Sequence, residues 1–310
     1  MVEPENKTPE NRVEPAERQY ADPAVKLKHD RPTTGHSWDG IEEFDNPLPR
    51  WWLWIFYATI IWAVIYMIFY PAWPLVNRAT SGILGYSSRG EVAADIASFE
   101  ARNEPWFNRL VETELDEIAA DPELQRFAVN AGGSVFRAQC SQCHGTGGAG
   151  VQASGFPNLL DDDWIWGGTM EDIHMTVRYG IRNEDHLDAR WSEMPAFGRD
   201  GLLETDEIDQ VVEYVLRLSR QPHDAALAEA GAEVYEMNCA SCHGDGGEGD
   251  IFVGAPALNN QVWLYGGSRE AIRHSVVNSR FGIMPGFADR LRDAEIRAVA
   301  AYVHQLGGGQ

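Results

Sequence analysis

The chain has 310 residues, enough for two or three small domains with cores of their own. Its 47 acidic and 25 basic side chains give a formal charge of −22, which sets it against nucleic acid as a partner. The charge is uneven: Lys28 is the last lysine, and from Glu91 onward 36 carboxylates face 16 arginines, an excess that attracts basic partners with salt-sensitive kinetics and equally serves solubility.

Residues 1 to about 35 are rich in Pro, Glu and Lys with few large apolar side chains, and read as disordered. The stretch "TGHSWDGIEEFDNPLP" that follows carries turn formers and one apolar cluster, with His36 and Trp38 open to a partner or to a membrane surface. From Trp51 to Tyr70 there is no charged residue, and a helix of that length, rising about 1.5 Å per residue, spans a hydrocarbon core of roughly 30 Å. Residues 51–73 are therefore expected to form a transmembrane helix in a lipid bilayer. Trp51, Trp52 and Trp54 at one end and Tyr70 and Trp73 at the other suit the headgroup interface. Fifty polar residues before the span and the lack of a small-residue cleavage pattern argue against a signal peptide.

Residues 74–121 form a connector punctuated by Pro and Gly and then a helical pattern from about Gly90 to Asp121, which Pro105 is expected to break in two. Beyond it the sequence repeats. An offset of 99 lays Cys140 on Cys239, Gly132 on Gly231, Phe136 on Tyr235, Pro157 on Pro256 and Trp164 on Trp263. The offset falls to 90 at "SEMPAF" and "GIMPGF", so the first copy holds about nine extra residues near "NEDHLDARW". Each copy ends in a helical pattern with an aromatic inside it, Tyr214 or Tyr302. The expected units are residues 122–220 and 225–310.

All four cysteines lie in two five-residue motifs, "CSQCH" at 140 to 144 and "CASCH" at 239 to 243. Zinc ribbons pair such motifs roughly 15–20 residues apart, and a thioredoxin-like dithiol sits near a βαβ pattern without needing the histidine. Covalent haem c needs all three residues: the two thiols add to the porphyrin vinyl groups and the adjoining imidazole binds iron. Two covalently bound haem c groups are expected, on Cys140 and Cys143 and on Cys239 and Cys242, with His144 and His243 as axial ligands. Gly-x-x-x-Phe/Tyr-x-x-x-Cys before each motif places a small residue and an aromatic on one helix face, Phe136 and Tyr235 as core and the glycine admitting another helix. Pro157 and Pro256 are placed to offer a carbonyl to the imidazole N–H.

A second axial ligand sets potential and reactivity. Met194 and Met284 stand before proline in matching loops and are the candidates; in the first copy Met170, Met175, His174 and His186 also lie in range, although His174 aligns with Arg273. Six-coordinate irons transfer electrons rather than reduce oxygen or peroxide. The chain carries no paired carboxylates, Walker loop or nucleophile constellation of its own, and the "HGTGGAG" and "HGDGGEG" runs follow motifs rather than strands. Because haem c is attached outside the bacterial cytoplasm, both motifs are expected in the periplasm and residues 1–50 in the cytoplasm.

"TGHSWDGIEEFDNPLPRWW", one aromatic-rich span, the "YPAWPL…GYSSR" connector and two tandem haem motifs together resemble the CcoP/FixP family, the dihaem subunit of cbb3-type cytochrome c oxidase, over residues 34 to 310. The resemblance implies a mainly α fold, one membrane anchor and two class I-like cytochrome c domains in the bacterial inner membrane. It implies electrons taken from a soluble cytochrome c and passed through a monohaem cytochrome c subunit to a haem–copper catalytic subunit that reduces oxygen and pumps protons. The family's haem positions fall on Cys140, Cys143, His144, Cys239, Cys242 and His243, with Met194 and Met284 at its distal positions. A stand-alone anchored dihaem carrier, the cytochrome subunit of a periplasmic dehydrogenase and a dihaem peroxidase remain the alternatives.

Overall fold

The computed structural model describes residues 32–307; of the disorder expected for residues 1 to about 35, residues 1–31 lie outside the described residues, while Thr33, Thr34 and Gly35 belong instead to a strand. The chain divides at Ala94 into two compact units.

The first unit opens with an antiparallel hairpin of β1 (Thr33–Trp38) and β2 (Ile41–Phe44), with Trp38 opposite Ile41. Its two-residue turn is Asp39-Gly40, both with positive φ, the backbone that an Asp-Gly pair adopts at little cost. Helix α1 (Arg50–Phe69) follows, and none of its 20 residues is buried. It is long and apolar enough to cross a membrane. The connector turns back on its end: the N–H groups of Ile83 and Leu84 donate to the carbonyls of Ile68 and Phe69, which no residue within the helix satisfies. Gly82, at φ +67°, makes that turn, and a Cβ there would collide with the Phe69 carbonyl.

Helix α2 (Ser88–Glu112) runs unbroken through Pro105. The expected break does not occur. Proline withdraws one donor from the carbonyl of Ala101, but that residue is exposed, so its carbonyl stays open to solvent.

The second unit is helical: α3 (Pro122–Val135), α4 (Ser141–His144), α5 (Met170–Tyr179), α6 (Thr205–Leu218), α7 (Ala225–Asn238), α8 (Ala240–His243), α9 (Arg269–Asn278) and α10 (Asp293–His304). Side-chain caps fix where four of them start. Asp121 accepts from the N–H groups of Glu123 and Leu124, Asp224 from those of Ala226 and Leu227, Thr169 from Asp172 and Ser268 from Ala271.

Two cores result, and they do not follow the two sequence copies. The first is built by α3, α5 and α10, with Leu124, Phe136, Ile173, Ile296 and Val299 buried together. The second is built by α6, α7 and α9, with Ile208, Val211, Val234, Tyr235 and Ile272. The helix that closes each motif's core therefore comes from the other copy. Gly132 on α3 lies against the backbone of Ala298 on α10, and Gly231 on α7 lies against the backbone of Gln210 on α6; a Cβ at either glycine would strike a carbonyl oxygen. In chain order, residues 122–180 belong to the first core, 194–280 to the second, and 284–306 return to the first. The second core is thus contiguous, a permuted form of the first inserted within it, and the ranges 122–220 and 225–310 mark sequence copies rather than packing units.

Backbone hydrogen bonds hold the crossings. Ile181 and Met284 exchange N–H···O bonds of 2.9 and 3.0 Å, Phe287 N–H donates to Val177 O at 3.0 Å, and Arg199 N–H donates to Val277 O at 2.9 Å. Buried Glu213 on α6 ties the second core by accepting from Arg269 Nη2 on α9 at 3.0 Å and from Asp224 N–H at 2.7 Å.

Two outcomes follow from this topology. A chain ending after Arg280 loses α10, and amide hydrogen exchange is expected to show α3 unprotected while α7 keeps its protection; cores closed within each sequence copy demand the reverse. Gly132→Val is expected to destabilise the first core by at least about 1–3 kcal/mol through overpacking at a helix crossing, measured by denaturant unfolding. Gly133→Ala, whose new Cβ meets only the Tyr302 and Arg137 side chains at 3.1 to 3.4 Å, is expected to cost less.

Candidate functional site

The two cysteine motifs occupy corresponding places. α3 runs through one widened turn, Phe136–Cys140, into the single turn α4 that carries Ser141 to His144. α7 ends at Cys239 and α8 carries Ala240 to His243. Phe136 and Tyr235 are almost wholly buried, as expected, and each ring packs on the aromatic of the crossing helix, Phe136 on Tyr302 at 5.3 Å and Tyr235 on Tyr214 at 4.9 Å. Tyr235 also donates its hydroxyl to Gly244 O at 2.8 Å.

Beyond each motif the chain turns through glycines with positive φ, Gly145, Gly148 and Gly150 in the first and Gly244, Gly247 and Gly249 in the second. These turns bring a proline carbonyl to the imidazole. His144 Nδ1 lies 3.3 Å from Pro157 O, and His243 Nδ1 lies 2.9 Å from Pro256 O. A carbonyl only accepts, so Nδ1 carries the proton and Nε2 keeps its lone pair for a metal. Burial pushes both imidazoles below their ordinary pKa, so neither needs to lose a proton at pH 7 before binding.

The thiols behave differently from a redox pair. Burial, with the neighbouring thiol adding to it, pushes Cys140 and Cys239 up to about 11, where a reactive dithiol is poised low. Cys143 and Cys242 are exposed, whereas Cys140 is buried and Cys239 half-buried, so each motif presents one open and one more sheltered cysteine.

The methionine loops show the crossing again. Met194 lines a cleft with Cys239, Cys242, His243 and Pro256, a space of about 1350 Å³ counted out to open solvent, with apolar walls that include Phe197, Leu258 and Ile272. Met284 packs on the core that contains Cys140 and Phe136. The core of each motif is therefore met by a methionine of the other copy's Met-Pro loop, which for the second motif lies in one cleft with its histidine. An apolar cleft with a histidine offering a lone pair, two sulfurs at the rim and a thioether close by fits haem c; a set of thiolates held for zinc does not arise, and the described residues contain no cluster of three His, Cys, Asp or Glu side chains suited to a metal ion.

The other candidates of the first copy are engaged elsewhere. His174 Nε2 stands 3.7 Å from Asp293 Oδ1, inside a charged cluster with Arg178 and Arg297 that joins α5 to α10. The ring of His186 packs tilted against Tyr179 at 4.4 Å while its Nδ1 accepts from Asp188 N–H. Met175 is exposed and Met170 is buried in the helical core.

Sequence reading missed the contacts between the two cores. Gly155 lies against the Tyr265 ring and Gly254, 99 positions later, against the Trp166 ring, so closely that a Cβ on either would collide. Gln152 Nε2 donates to Trp263 O at 2.7 Å. The two glycines are matched in the repeat, and that match was the available signal.

Comparison with known proteins agrees with these features. Residues 30–77 match the N-terminal domain of cytochrome oxidase-cbb3, FixP, and residues 127–215 and 226–303 match the cytochrome C oxidase, cbb3-type, subunit III model. The CcoP subunit of the cbb3-type oxidase of Cereibacter sphaeroides is 57% identical over 93% of this chain and 99% of its own length. That of Rhodobacter capsulatus is 52% identical over 90% of this chain and 96% of its own, and the FixP subunit of Sinorhizobium medicae is 46% identical over 90% and 95%. With two haem motifs in helical cores and one membrane-length apolar helix, the chain belongs to the CcoP/FixP family: a membrane-associated, haem c-binding electron-transfer subunit of cbb3-type cytochrome c oxidase.

Proposed function

We propose that the second unit holds two haem c groups, one bound by Cys140 and Cys143 and the other by Cys239 and Cys242, with crossed axial pairs: His144 with Met284, and His243 with Met194. The observation that carries this reading is the cleft shared by Met194 and His243. The packing of Met284 on the core of Cys140 supports the other pair. Haem c supplies one-electron exchange at its iron. The chain's own part is to hold two sulfurs at the porphyrin edge, fix the imidazole tautomer through Pro157 O or Pro256 O, exclude water with apolar walls, and offer a thioether that raises the potential relative to a second imidazole.

In this reading a soluble cytochrome c delivers electrons to the periplasmic haem unit. They leave through a monohaem cytochrome c subunit for the haem–copper subunit of the oxidase. α1 anchors the chain in the inner membrane in a single pass, with the N-terminus cytoplasmic. The relatives are named as subunits of that oxidase, which favours this place over a stand-alone carrier. With both irons closed by methionine, a peroxidase role has no open coordination position.

The full-length protein purified in detergent is expected to carry two haems per chain, both low-spin with the near-infrared sulfur-to-iron band, and to bind no carbon monoxide when reduced. A haem without that band moves His174 or His186 forward, and a carbon monoxide adduct reopens the peroxidase reading. The acidic excess beyond Glu91 is expected to steer a basic donor, so oxidase turnover with such a cytochrome should slow steeply as salt rises through about 0.1 M. A flat profile contradicts the electrostatic part of the account.

A further inference from the structure

The cleft before His243 has one edge unlike its walls. Arg182 and Arg280 both line it, together with Tyr265. Arg182 donates from Nε to Gly282 O at 2.8 Å and from Nη1 to Ser192 O at 2.7 Å, and its guanidinium lies 5.5 Å from the Phe281 ring. Arg280 donates from Nη2 to Ala271 O and to Ser275 Oγ, each at 2.7 Å, and stacks over the Tyr265 ring at 4.7 Å. Both are half-buried, and burial pushes both guanidiniums below their ordinary pKa. Among the described residues neither enters an ion pair; Glu193 acts on Arg182 only through space. Arg190, close by, is by contrast paired with Asp172 at 2.7 Å.

Two partly desolvated cations without a contacting anion are costly unless a ligand brings the charge. Their other donors go to neutral oxygens, which hold the side chains in place; Glu193, which also lines the cleft, offsets Arg182 through space without touching it, and among the described residues no carboxylate contacts Arg280. Arg182 Nη2 and Arg280 Nη1 make no hydrogen bond among the described residues. A haem is an apolar disc with two carboxylates on one edge. We propose that Arg182 and Arg280, which line the cleft together with Tyr265, position the haem of the second site by binding its two propionates. They thereby fix which edge of the disc points toward the chain crossings at residues 181–193 and 280–284. This rests on the proposed haem at Cys239 and Cys242. The consequence is electrostatic: cations beside the propionates offset their charge and favour the reduced iron, so this haem gains potential that the haem of the first site does not gain from the same pair.

Redox titration of the full-length, haem-loaded protein tests this, with the two waves assigned by Met194→His, which moves the second-site wave. Arg182→Gln and Arg280→Gln are each expected to shift that wave to lower potential, the double variant further, with the first-site wave moving less. The charge-keeping Arg182→Lys and Arg280→Lys should restore most of the potential. Should a glutamine variant lose haem, infrared redox difference spectra of the lysine variants, made with carbon-13 propionate-labelled haem, provide a second readout, and displaced carboxylate bands support the contact. Unchanged waves in a double glutamine variant that retains two haems overturn the proposal, as do unchanged carboxylate bands in the lysine variants. A wild-type chain with no haem at the second motif overturns the reading beneath it and is recognised before any substitution is made.

Discussion

The second unit depends on two places where a helix backbone touches another helix without a side chain between them. Gly132 against Ala298 and Gly231 against Gln210 admit the close approach at which the aromatic pairs Phe136 with Tyr302 and Tyr235 with Tyr214 meet. Each contact joins the start of one sequence copy to the end of the other, so the copies cannot separate without opening both cores. Stability, and the placing of both methionine loops, descend from that exchange.

The sites inherit it. A motif supplies its two sulfurs and its imidazole from a single helix end, and the glycine turns beyond it bring Pro157 or Pro256 to the ring nitrogen within the same copy. The other copy furnishes the methionine at each core, with Met194 lining the cleft of His243 and Met284 packed on the core of Cys140. Electron-transfer centres gain from rigid surroundings that change little on reduction, and interlocked halves with short crossings provide that rigidity. Tyr265 against Gly155 and Trp166 against Gly254 then press the two cores together.

Much of this was legible in the residues. The span from Trp51, the two Cys-x-x-Cys-His motifs, the buried aromatics four residues before each motif and the proline carbonyls carry their reasons locally, in charge, spacing and donor chemistry. The exchange of helices was not legible, because the two copies are alike: α6 and α10 present the same kind of apolar face, and periodicity does not say which of them closes on Gly132. The Asp39-Gly40 hairpin had a clear turn signal that the apolar cluster around it obscured. Pro105 misled because its effect depends on whether the freed carbonyl meets water, and exposure is a property of the fold. Arg182 and Arg280 look like ordinary surface cations until it is seen that, among the described residues, no carboxylate contacts either.

The central claim is that each iron takes its histidine and its methionine from different copies. The direct test is the near-infrared sulfur-to-iron band in full-length chains that keep a single haem motif. With only Cys140, Cys143 and His144 active, the band should survive Met194→Leu and vanish in Met284→Leu, and with only Cys239, Cys242 and His243 active the two substitutions should exchange their effects. Loss of the band on replacing the methionine of the same copy would contradict the crossed arrangement.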